Sequence, residues 1–129
     1  MTYLPYVVLG ASLFIPVVQF ILIRRTRRME GQDAPATNDL IDEKLRSHGQ
    51  VLLYFFLPKC DACQVMAPRI DRLASEHANI IKLDARETKD IARSLGILAT
   101  PTVVLLKNGK VARIIAGIAS EKKVEALLK

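Results

Sequence analysis

Hydrophobic and polar positions divide the chain into two unlike parts. From Thr2 to Ile23 no side chain is charged, and most are Val, Leu, Ile, Phe or Ala. Wound as a helix, that run rises roughly 33 Å, enough to cross a hydrocarbon core of about 30 Å. Pro5 and Pro16 are tolerated in such a helix, and Pro16 is expected to kink it. A cleavable signal peptide would want a positive n-region, a shorter apolar core and a small-x-small site; here "IRRTRR" stands where the cleavage site should be. A soluble core helix of this length would show a polar face. Residues 1–23 therefore read as a transmembrane anchor.

After the anchor the pattern breaks into short elements. "MEGQDAPA", residues 29–36, has no period and contains Gly and Pro, so residues 24–36 read as a basic flank and linker. "TNDLIDEKLRSHG" predicts a short helix with Thr37, Asn38 or Asp39 as its cap and Gly49 as its end. "QVLLYFF" is an unbroken apolar run, as expected of a strand covered on both faces. "ACQVMAPRIDRLASEHA" sets Val65, Met66, Ile70, Leu73 and Ala74 at helical spacing, with Pro68 inside the pattern and expected to kink it. "NIIKLDA" predicts a strand and "TKDIARSLG" a short helix stopping near Gly96. "TPTVVLLKNGKVARIIAG" predicts two strands joined at Asn108-Gly109, a strong hairpin signal. "SEKKVEALLK" predicts a closing helix with Ser120 as cap. The order α, β, α, β, α, β, β, α implies a mixed sheet with helices on both faces.

Charge refines the picture at one place. The net +6 splits evenly, and half of it comes from residues 1–32, where Arg24, Arg25, Arg27 and Arg28, directly after the apolar run, stand against Glu30 alone. No Lys or Arg precedes that run, so the positive-inside rule sets the N-terminus outside and the remainder in the cytoplasm. The expected location is a single-pass cytoplasmic membrane, with an extracytoplasmic domain as the alternative. The arginine cluster also suits anionic headgroups. Basic patches interleaved with aromatics, the mark of nucleic-acid binding, are missing.

The chemistry concentrates in "FFLPKCDACQ", which holds both cysteines of the chain, Cys60 and Cys63. Taken alone, this spacing fits a disulfide, half of a zinc site, or simple packing. A thiolate is the attacking species in disulfide exchange, so one cysteine must ionise near neutral pH and be reachable. At a helix N-terminus, unpaired N–H groups and the macrodipole favour the anion. Cys60 is therefore the expected nucleophile and Cys63, one turn deeper, the resolving residue. Lys59 should favour the Cys60 thiolate and Asp61 oppose it. His48 and His77 are expected near helix ends, exposed and without a catalytic role. Met66 is expected in the core, and Asp84 and Arg86 at a strand end in solvent.

From about Thr37 to Lys129 the chain resembles the thioredoxin family. The resemblance rests on CxxC opening a helix after a buried strand, Pro68 five residues after Cys63, "GILATPT", "LLKNGKV" and Gly117 after the last strand. It implies a thioredoxin fold, with a central mixed four-stranded sheet flanked by helices, over residues 37–129. It also implies that Thr100-Pro101 is a cis-proline site lying against the CxxC, and that Thr100 and Gly117 help form a substrate groove with Lys59, Asp61 and Ala62. The family usually has Trp before the first cysteine and Gly-Pro between the two; here they are Lys59 and Asp61-Ala62. Its buried acid is replaced by Tyr54, while Lys82 matches a nearby lysine, so Tyr54 and Lys82 are expected to tune proton transfer to or from Cys63.

The implied activity is thiol–disulfide oxidoreduction by a membrane-tethered protein, with no cofactor beyond the Cys60–Cys63 disulfide. Its partners would be protein disulfides, a thiol reductase or other electron donor, and the membrane through residues 2–23. Two other classes remain open. The pair could supply two of four thiolates to zinc or an iron–sulfur cluster shared by two chains, or the domain could be a redox-inactive adaptor. An extracytoplasmic domain would instead suit cytochrome or metalloprotein maturation.

Overall fold

A computed structural model describes residues 2–27, 30–34 and 37–129. The first helix, α1 (Leu4–Arg27), runs unbroken through Pro16. Its stretch Leu4–Leu22 has a mean hydropathy of 2.0 and none of it is buried against the rest of the protein. Length and hydropathy of this order suit a membrane span and equally a targeting sequence. The Arg24 guanidinium lies 4.9 Å from the ring centre of Phe20, a cation–π contact at the end of the apolar stretch. Arg28 lies outside the described residues, as do Met29, Pro35 and Ala36 of the expected linker.

The remaining elements follow the predicted order: α2 (Asp39–His48), β1 (Gln50–Phe56), α3 (Asp61–Glu76), β2 (Ile80–Asp84), α4 (Lys89–Ser94), β3 (Thr102–Lys107), β4 (Lys110–Ala116) and α5 (Glu121–Leu127). The four strands form one sheet in the order β2-β1-β3-β4. β1 is parallel to β2 and antiparallel to β3, and β3 is antiparallel to β4. The central strand β1 carries the fold. Val51, Leu53 and Phe55 point to one face, where Ile41 of α2, Ile91 of α4 and Leu95, which caps α4, cover them. Leu52 and Tyr54 point to the other, where Met66, Ile70 and Leu73 of α3 and Val124 of α5 cover them. Strand side chains alternate between faces, so a strand covered on both must be apolar throughout. That is why "QVLLYFF" shows no alternation.

Local chemistry sets the ends. Asn38, one of the three expected caps, accepts the Ile41 N–H at 2.9 Å, and Gly49 closes α2 with φ of 77°. Ser120 accepts the Lys123 N–H at 3.2 Å and starts α5. The hairpin turn holds Asn108 at φ 55° and Gly109 at φ 76°, the two left-handed residues that a type I′ turn requires.

Three expectations change. Val65, placed on the core pattern of α3, is 46% exposed; the buried line is Cys63, Met66, Ile70 and Leu73, and Val65 falls beside it. His77, expected in solvent, is half-buried at the C-terminus of α3, whereas His48 is exposed. The stretch read as a linker is partly tied down. Gly31 N–H donates to the Val111 carbonyl (2.6 Å), Val111 N–H to Gln32 (2.8 Å) and Ala34 N–H to Gly109 (2.9 Å). Ile114 N–H donates to the Glu30 carboxylate at 3.1 Å. Residues 30–34 thus form a strap along the outer edge of β4, satisfying backbone groups that an edge strand otherwise leaves open. No composition rule marks this pairing, because main-chain groups make most of it. α3 also continues through Pro68, which removes only one N–H donor from the ladder.

The hairpin gives a direct check. Asn108→Ala should cost about 1 kcal/mol in urea unfolding, because alanine resists the left-handed region, while Asn108→Gly should be nearly neutral.

Candidate active site

The site assembles where β1 ends and α3 begins. The apolar strand delivers the chain to Leu57, and Cys60 then occupies the N-cap of α3 with extended backbone. Its sulfur accepts the Cys63 N–H at 3.2 Å, as an N-cap side chain does. Cys60 is half-buried, and Cys63, on the buried line of α3, is only 4% exposed. Both are free thiols in this structure.

The two thiols differ in ionisation as in exposure. Hydrogen bonding with Cys63 holds the Cys60 thiol below its usual range, and the Ala62 and Cys63 N–H groups act in the same direction. Burial pushes the Cys63 thiol up, and its hydrogen bond to Cys60 adds to that. The accessible sulfur is therefore the easier to ionise, and the buried one holds its proton.

The second wall comes from the loop before β3. The Thr100–Pro101 peptide is cis, as expected. The Thr100 carbonyl lies 3.7 Å from the Cys60 sulfur, and Thr102 Oγ donates to the Ala99 carbonyl at 2.7 Å, bracing the loop. Gly117, at φ 87°, donates its N–H to the Pro101 carbonyl at 2.8 Å. Cys60, Cys63, Thr100, Pro101 and Gly117, separate in sequence, are thereby brought into one constellation. Lys59 and Asp61 flank Cys60 as exposed side chains, and Ala62 is half-buried within the first turn of α3.

Tyr54 and Lys82 differ in what they offer. The Tyr54 hydroxyl donates to the Cys63 carbonyl at 3.1 Å from a buried position. Burial first, and the neighbouring cysteines second, push its pKa up to about 12. It therefore stays protonated near neutral pH; it can hold the cysteine turn in place but cannot take up a proton. Lys82 pairs across the sheet with Tyr54, yet its ammonium is at the surface on Asp71, at 2.5 Å. The position expected to assist proton transfer thus holds a positioning hydroxyl, with an exposed ion pair beyond it. Asp84 and Arg86 engage each other at 2.9 Å, away from the sulfurs in sequence and partners.

Arg69, which the sequence did not single out, and Met66, expected only in the core, steady the Gly117 loop. Arg69 donates to the Ala119 carbonyl at 2.7 Å, and the Ala119 N–H meets the Met66 sulfur at 3.4 Å. Both reach from α3, so the helix that carries the cysteines also anchors the loop opposite them. An arginine two turns along a helix gives no sequence signal for such a role, because its target is a main-chain carbonyl.

With this geometry in place, similarity to known proteins is decisive. The thioredoxin family model matches residues 34–129. The chain belongs to the thioredoxin family. It is 33% identical over 101 residues to the mitochondrial thioredoxin of Mus musculus, covering 76% of this chain and 59% of that one. It is 31% identical over 85 residues to a thioredoxin of Bacillus subtilis, covering 64% and 82% respectively. The matched region is thus less than two thirds of the mitochondrial relative's length. Among solved structures, a thioredoxin of Halobacterium salinarum superposes with a TM-score of 0.65 at 25% identity, over 71% of this chain and 82% of its own. A reduced thioredoxin pre-protein of Schistosoma mansoni superposes with a TM-score of 0.60 at 29% identity, over 70% and 89%. The mixed four-stranded sheet with flanking helices is the thioredoxin fold.

The asymmetry of the thiols predicts a pH profile. A lowered pKa keeps the thiolate populated to lower pH, so alkylation of reduced protein should be half-maximal at a lower pH than that of a cysteine in an unstructured peptide, and fall as pH drops through the Cys60 pKa. Peptide mapping after brief iodoacetamide treatment should find the label on Cys60, with Cys63 protected until the protein unfolds.

Proposed function

We propose that this protein is a membrane-tethered thiol–disulfide oxidoreductase that reduces protein disulfides. The observation that carries the proposal is the unlike cysteine pair at the head of α3: an accessible Cys60 with a lowered pKa and a buried Cys63 with a raised one. Family membership supports the same chemistry.

The Cys60 thiolate attacks one sulfur of a substrate disulfide. A Cys60–substrate bond forms, the substrate S–S bond breaks, and the departing thiolate takes a proton. Cys63 then loses its proton and attacks the Cys60 sulfur. The Cys60–Cys63 bond forms, the mixed disulfide breaks, and the substrate's second thiol is released. Two electrons pass from the dithiol to the substrate, and an external dithiol reductase must restore the pair. Because Tyr54 remains protonated, the Cys63 proton leaves to water or to the departing thiolate. Thr100, Pro101 and Gly117 would present main-chain groups to an extended substrate segment, with Lys59, Asp61 and Ala62 at its rim.

For the tether, the supporting features are the apolar Leu4–Leu22 stretch of α1 and the arginines that follow it. In this reading the positive-inside rule favours the cytoplasmic side for the domain, residues 37–129 with its strap. There, ambient thiol systems would keep the pair reduced and favour reduction of substrates.

Two experiments test this reading. Cys63→Ser should accumulate mixed disulfides through Cys60, whereas Cys60→Ser should trap none and lose turnover on an insulin-like disulfide by at least about 100-fold; equal trapping by both variants would reverse the assigned roles. A reporter active on only one side of the membrane, fused after Lys129, should be active in the cytoplasm. Activity on the outer side would overturn the orientation, and a soluble fusion protein would overturn the tether.

A further inference from the structure

Thr100 also borders a recess that Gly117 does not line. This groove of about 230 Å³ has apolar walls from Leu57, Ala92, Ile97 and Leu98, and two cations, Lys89 and Arg93, on its α4 side. Lys89 and Arg93 stand one helical turn apart and so share a face of α4. Both are exposed, and among the described residues neither has an ion-pair partner. No carboxylate lines the groove. Asp90, the nearest acid on α4, is turned about 100° from Lys89 around the helix, and Asp84 is engaged by Arg86. Leu98 leaves 61% of its surface open, so the wall is apolar and reachable. The groove lies one residue from the nucleophile, since Thr100, which borders it, has its carbonyl 3.7 Å from the Cys60 sulfur.

We infer that this groove selects the substrate: it receives an extended acidic segment next to the target cysteine, with an apolar side chain between Leu57 and Leu98 and carboxylates on Lys89 and Arg93. The inference rests on the oxidoreductase reading and adds to it the class of partner. Apolar walls alone would take any hydrophobic segment; two unpaired cations on one side give the groove a sign. Exposed attractions are individually weak, but they raise the encounter rate with a partner of opposite charge and penalise one of like charge. The selection should therefore reside in kcat/KM and fade with salt.

The test uses the full-length protein in detergent and two short peptides, each with one disulfide and one leucine, flanked by Asp and Glu in one and by Lys and Arg in the other. At low ionic strength the acidic peptide should be reduced with about fivefold higher kcat/KM, as two ordinary surface attractions would give. The ratio should approach one near about 0.5 M salt. The double variant Lys89→Glu/Arg93→Glu should invert the ratio, and Lys89→Gln/Arg93→Gln should level it. Equal rates on both peptides in the unmodified protein, or a preference that survives both double variants, would overturn this inference and leave the oxidoreductase reading intact. Turnover of neither peptide would overturn that reading and this one together.

Discussion

The structure depends on one strand being dry on both sides. β1 cannot meet water on either face, so it demands two helical layers, and those layers decide where everything else goes. α3 must lie against Leu52 and Tyr54, and because α3 begins five residues after β1 ends, the chain has to turn sharply at the C-terminal end of that strand. Cys60 sits in that turn. The sulfur's exposure, its N-cap position and its contact with the Thr100 loop are consequences of packing a buried strand and a helix in immediate succession. Redox chemistry here uses a location that the hydrophobic core creates.

The same helix separates the two thiols. A residue at the cap faces solvent and the free N–H groups, while a residue three positions on has rotated onto the buried line with Met66 and Ile70. One turn of backbone therefore converts two chemically identical side chains into a ready thiolate and a reserve thiol. The sheet contributes Tyr54, which ties the carbonyl of Cys63 without competing for protons. Arg69 and Met66 extend the control to the far wall through Ala119. Helix, strand and loop are held in mutual register around the two thiols.

How much of this was legible in the sequence varied with the kind of signal. "QVLLYFF" marked a doubly buried strand and the structure has it at the same residues, because continuous burial leaves an unmistakable composition. Asn108-Gly109 marked the turn, since few residues accept those dihedrals. The cysteine pair and Thr100-Pro101 were legible as motifs. The misses share a cause. Val65 has the composition of a core residue but stands one step off the buried line, and composition does not resolve a rotation of 100°. The residue 30–34 strap bonds largely through main-chain groups, which every sequence possesses. His77 is shielded by packing at a helix end that local sequence does not describe. Lys82, expected near Tyr54 through the resemblance, does pair with it across the sheet, but its partnership with Asp71 depends on how α3 crosses the sheet.

The strap also has a mechanical meaning. Arg27 ends the apolar helix and Glu30 is already bonded to Ile114, so no more than about 11 Å of chain joins them. Ile114 lies three residues before Gly117, about 10 Å along β4. The domain is consequently tied close to the end of α1, through the strand that leads to Gly117. Whatever surface holds α1 therefore keeps the outer edge of β4 within that same short reach of the helix end.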